Sequence, residues 1–154
     1  MIFLAIMLLT FSLVACEPAN FFYSYEELKE NVERVELINY NNPEAKPFSN
    51  KNDSLLSFDF EKMEVVEVLA AEKVDDFLKA LSEVQFFKNM GHMDSPNGKC
   101  IRVVYNNGDF EIIHSDNNGN YVGSFDAEGN VKRFVGSVAY SLEDVTKYFD
   151  AQID

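Results

Sequence analysis

Basic residues are scarce in this chain: 13 Lys and Arg stand against 26 Asp and Glu, a net charge of −13. Phosphate backbones repel such a chain, which excludes nucleic acid as a partner. Anionic lipid headgroups repel it equally, so no basic amphipathic surface is present to hold it to a bilayer. Histidine occurs twice, at His92 and His114, with no second imidazole three or four residues away. That excludes a metal site built from a local His pair. Cysteine also occurs twice, at Cys16 and Cys100, and tryptophan is absent. No apolar run approaches the roughly twenty residues of a bilayer-spanning helix. Gly-x-Ser-x-Gly, the P-loop and the dinucleotide fingerprint are all missing, as is any internal repeat.

What is present begins with Ile2 to Val14, a mostly apolar run free of charged side chains. Its length suits the h-region of a signal peptide. Leu13-Val14-Ala15-Cys16 follows, with a small residue directly before the cysteine. This stretch resembles a bacterial lipoprotein signal peptide ending in its lipobox. The resemblance covers the first sixteen residues and implies a location. Residues 1–15 would be removed, and Cys16 would carry diacylglycerol, and palmitate-like acyl chains, as the new N-terminus. Two acyl chains hold a protein to a membrane durably where one does not. The implied place is the outer face of the cytoplasmic membrane. Lipidation of Cys16 leaves Cys100 without a disulfide partner, so packing must supply the stability. Cys100 reads as a small, partly buried strand residue.

Residues 16–23 form the lipidated cysteine and a short tether, and 24–154 a single domain of ordinary size. Ser24-Tyr25-Glu26-Glu27 is a capping box opening a short helix that runs to about Arg34. Val35 to Tyr40 reads as a strand. Asn41 to Ser57 is a long irregular segment with Pro43 and Pro47. Met63 to Leu69 is rich in β-branched residues and predicts a strand. Val74, Phe77, Leu78, Leu81 and Val84 place an amphipathic helix over Ala71–Val84. Gln85 to Met90 holds a short strand. Asn107-Gly108 predicts a two-residue hairpin turn. That register pairs Tyr105 with Phe110, Val103 with Ile112 and Ile101 with His114 on one core face, leaving Arg102 and Glu111 on the other. Ala127-Glu128-Gly129 predicts a second, three-residue hairpin with Gly129 left-handed. Ser141 caps a last helix whose Leu142, Val145 and Phe149 face inward. The expected fold is α+β, an antiparallel sheet of about five to seven strands with two or three helices on one face.

Few constellations suggest chemistry. Asp116-x-Asn118-x-Asn120 and Asp126-x-Glu128-x-Asn130 open like calcium loops, but both lack the glycine and the final glutamate. Both read as polar turns. His114 reads as a boundary residue packed on Ile101, and His92 lies near Asp94 and Ser95. No catalytic residue, cofactor or metal ligand is nominated; Cys16 is the one site residue. Phe21, Phe22, Tyr40, Phe48 and Tyr140 fit no core stripe cleanly; most read as core or linker packing, with a protein or glycan contact surface as the alternative. The leading expectation is a non-enzymatic lipoprotein that binds a protein or cell-wall component. The alternatives are an inhibitor or immunity-type lipoprotein that neutralises a basic toxin or hydrolase, and a small hydrolase. A binding module should expose an apolar patch on the uncovered sheet face, an inhibitor a concentrated acidic one, and a hydrolase a pocket holding a histidine with a carboxylate.

Overall fold

The computed structural model describes residues 20–44, 58–87, 97–116, 119–138 and 147–151. The fold is α+β. Its strands are β1 (Asn20–Phe21), β2 (Val32–Tyr40), β3 (Met63–Val68), β4 (Phe86–Phe87), β5 (Gly98–Tyr105), β6 (Phe110–Asp116), β7 (Gly119–Phe125) and β8 (Val131–Val138). They form one antiparallel sheet in the order β1-β4-β8-β7-β6-β5-β2-β3. β1 and β4 contribute two residues each, which leaves six strands of full length. Two helices are described, α1 (Tyr25–Asn31) and α2 (Ala71–Ser82).

α1 begins where the capping box places it, with the Ser24 hydroxyl accepting from the Glu27 amide at 3.4 Å. It stops at Asn31, three residues short of the expected Arg34, because Val32 and the residues after it pair with β5. Sheet pairing satisfies those backbone groups in place of another helical turn. α2 buries Phe77, Leu78 and Leu81, the stripe expected of it. Both helices pack on the same sheet face. Their apolar sides meet Val35, Leu37, Ile101, Val103, Ile113 and Val122, and Phe149 joins this core from the C-terminal end. The Tyr25 hydroxyl donates to Asp75 at 2.7 Å and Lys29 reaches the same carboxylate at 2.9 Å, tying α1 to α2. Of the last helix expected after Ser141, residues 141–146 lie outside the described residues and 147–151 are turn and bend, with Phe149 still in the core; most of the segment 41–57 also lies outside the described residues.

The opposite sheet face, expected to stand uncovered and offer an apolar patch, is instead buried. Ile38, Tyr40, Phe58, Cys100, Val104, Phe110, Ile112 and Phe125 form a second core. Phe58 stacks on Tyr40 with centroids 4.3 Å apart and meets Phe110 and Phe125 edge-on. Tyr40 is therefore core, in line with the packing reading of the aromatics. Phe22 does stand out, at 57% exposure.

The first hairpin departs from its expected register by one residue. Ile101 pairs with Ile113, Arg102 with Ile112, Val103 with Glu111 and Val104 with Phe110. Gly108, at φ +87°, is the left-handed third residue of a three-residue loop, with its amide bonded to the Tyr105 carbonyl and the Tyr105 amide to the Asp109 carbonyl. A type I turn closed by a left-handed glycine is the common three-residue solution. The slip sends Val103 and Glu111 to the helix-bearing face and Arg102 and Ile112 to the other. The second hairpin has the same construction. Gly129 is left-handed at φ +87°, its amide bonds Asp126, and the Asp126 amide bonds Asn130.

Candidate functional site

The register of β5 and β6 places one charged residue inside the molecule on each face, Arg102 and Glu111, and β2 adds Glu36 beside Arg102. On the second face, Arg102 donates through Nε to Glu36 at 2.6 Å, and Arg34 donates to the other Glu36 oxygen at 2.7 Å. Glu36 and Arg102 are buried. The Arg102 guanidinium also lies over the rings of Phe60 and Phe110. A buried carboxylate between two guanidiniums is a satisfied structural element, because each charge has its partner.

On the helix-bearing face, Glu111 forms part of the floor of an open cleft of about 730 Å³. α1 contributes Glu27, Leu28 and Asn31 to one wall, and the β5–β6 loop contributes Asn106, Asn107 and Asp109 to the other. The loop is pinned to the end of α1. The Asn106 amide donates to the Asn31 carbonyl at 2.8 Å and its side chain to the Glu30 carbonyl at 2.9 Å. Carbonyls that the helix leaves open at its C-terminus are thereby satisfied. Glu111 is buried and accepts from the hydroxyls of Tyr23 and Tyr105, the latter at 2.9 Å. At the rim Lys132 pairs with Asp109 and holds that carboxyl below its usual range. The cleft orients polar groups. Its serines, Ser24 and Ser124, have no imidazole beside them among its lining residues.

Candidates singled out in the sequence lie elsewhere. His114 is buried opposite Cys100, on the face away from this cleft, and not against Ile101 as expected. His92 and Cys16 lie outside the described residues. Cys100 is buried, its thiol donates to the Gly98 carbonyl at 3.6 Å, and burial pushes it up to about 12. A thiol so protonated is unreactive at neutral pH. The Asp126 loop is a polar turn, its carboxylate accepting from the Glu128 amide and from both nitrogens of Asn130. Among the described residues no group of three or more His, Cys, Asp or Glu is arranged to hold a metal ion. No described helix is long and apolar enough to cross a membrane.

A second candidate surface is the β3 edge of the sheet, which no other described strand pairs. β3 stands last in the strand order. Val65, Val66 and Val68 are 42%, 43% and 54% exposed, and Phe60 beside them is 39% exposed. They are the largest group of exposed apolar side chains described. Their sequence signal, a β-branched run, predicted the strand but said nothing of its place at the edge.

No family model, curated protein or solved structure matches this chain.

Proposed function

We propose that this chain is a lipid-anchored extracytoplasmic binding protein, held through Cys16 at the outer face of the cytoplasmic membrane, whose described domain engages a protein partner without chemistry. The observation that carries the binding reading is the row of exposed valines on the β3 edge, which is unpaired among the described residues. Soluble domains blunt such edges, and an apolar edge left open is a place where another chain pairs. The lipobox resemblance supports the anchor. A second reading, an inhibitor or immunity-type lipoprotein acting on a basic toxin or hydrolase, is favoured by the net charge of −13. Long-range attraction speeds association with a basic partner.

The anchor is tested by the intact mass of membrane-extracted protein beside its Cys16→Ala variant. A mass equal to residues 16–154 plus diacylglycerol, lost in the variant, is expected. An unmodified chain retaining Met1 removes the anchor. The binding surface is tested by placing a photo-crosslinking residue at Val65 or, for comparison, at Asp76 on the exposed side of α2 in living cells. An adduct of defined mass from position 65 alone is expected. Equal adducts from both positions, or none from position 65, would sink the assignment.

A further inference from the structure

The two sides of β3 differ in a way that specifies what can pair with it. Met63, Val65 and Val68 lie opposite Tyr40, Ile38 and Glu36 of β2, on the second sheet face. Glu64 and Glu67 lie opposite Asn39 and Leu37, on the helix-bearing face. Val66 is the extra residue of a bulge at the Leu37–Ile38 step, which keeps this sorting in phase. No other described strand pairs the outer edge of β3; one of its faces is apolar, and the other carries Glu64 and Glu67, the latter accepting from the Asp150 and Ala151 amides.

We infer that β3 receives, by strand addition, an extended segment of a partner protein in which apolar residues alternate with Lys or Arg. The inference rests on the binding reading above and names its partner class. An added strand has a period of two, so alternate side chains fall on alternate faces. Its apolar set meets the valines and its basic set meets Glu64, while the Glu67 carboxylate is already held by the Asp150 and Ala151 amides. From Glu61 to Val68 the chain has three carboxylates and one cation, Lys62, so the sign of the complement is fixed. A second copy of this chain is a poor occupant. Two-fold pairing that sets Val65 against Val66 places Glu64 opposite Glu67 twice, and like charges directly opposite are destabilising. Two chains of charge −13 also repel at long range. The bulge and the carboxylates therefore guard the edge against its own kind and leave it open to a basic strand.

The probe is the blocked hexapeptide acetyl-(Lys-Val)3-amide, added to the membrane-extracted full protein in nonionic detergent. Hydrogen exchange should slow in the segment 63–68. A peptide N-methylated at alternate residues keeps its charge but loses strand donors, and should bind about tenfold more weakly or worse, since two or more hydrogen bonds are lost. Glu64→Lys should weaken the unmodified peptide to a similar extent, and acetyl-(Glu-Val)3-amide should not bind. Equal binding of the N-methylated peptide, or protection spread over the acidic surface, overturns the inference. So does a dimer in sedimentation whose 63–68 amides are already protected without peptide. Should the peptide fail while the adduct at position 65 forms in cells, strand addition falls and the binding reading stands; should both fail, both fall.

Discussion

Glu36 shows how much a single position can depend on residues far along the chain. Its carboxylate is held by Arg102, sixty-six positions away, and by Arg34 two positions away. Removing one member of a buried pair leaves a charge without a partner. Glu36→Ala should therefore lose about 3–5 kcal/mol in urea unfolding. Arg34 is more exposed, and Arg34→Ala should lose less than about 1 kcal/mol. Replacing the buried pair together, as Glu36→Leu with Arg102→Met, should recover most of the larger loss. Nothing in the sequence marks Glu36, because a lone Glu in a strand looks like a solvent-facing residue until its cross-strand neighbour is known. Cys100 is the opposite case. Its apolar neighbours already placed it in a strand, and its buried, fully protonated thiol follows. In protein lipidated at Cys16, a thiol reagent at pH 8 should label Cys100 only as fast as the domain unfolds, and at once in urea. Rapid labelling of the native protein would show that the Cys100 strand is open.

At the scale of elements, the two hairpins share one design but differ in how they were read. Both close on a left-handed glycine three residues into the loop. The β7–β8 connection was legible because Ala127-Glu128-Gly129 offers no two-residue alternative. The β5–β6 connection was not, because Asn107-Gly108 also suits a two-residue turn. Alternation normally settles such a choice by burying one face. Here both faces of β5 are buried from Cys100 to Val104, so hydrophobicity could not decide and the turn did. The edge position of β3 was hidden for a related reason: strand order is set by pairings between distant segments. Gly129 should be the less replaceable loop glycine. A Cβ there would lie 2.6 Å from the Phe58 carbonyl oxygen, whereas at Gly98, also left-handed, it meets nothing within 4 Å. Gly129→Ala should thus destabilise by more than about 1 kcal/mol and clearly more than Gly98→Ala, read as urea midpoints. The same loop carries a pH dependence. The Asn130 side chain, then backbone amides, hold the Asp126 carboxyl below its ordinary range. A depressed carboxyl stabilises the fold fully above the unfolded value near ~3.9 and loses that contribution as pH falls through the lower folded value. Asp126→Asn should flatten the decline of the thermal midpoint below about pH 4. An unchanged acid limb would show that other carboxylates set it.

For the whole molecule, the α+β class and the single helix-bearing face were legible from periodicity, since α2 and the hairpins announce themselves within short windows. The second core was not, because Phe58 joins it from outside any strand or helix and has no period of its own. Charge acts at this scale too. If the partner is basic, its association should slow severalfold between about 0.05 and 0.5 M salt as attraction is screened. A rate indifferent to salt would remove steering as the source of partner choice. Sheet order also sets a distance. β1 and β3 are the two outermost strands, and seven inter-strand spacings separate them, roughly 33 Å before twist. Asn20 of β1 follows Cys16 by four residues, about 14 Å at full stretch. A lipid on Cys16 would therefore tie one margin of the sheet close to the headgroups and let the opposite margin reach up to that sheet width from the bilayer. So extended, the sheet would work as a stand-off arm, carrying its valine edge clear of the headgroup layer to where a wall-side or secreted chain passes.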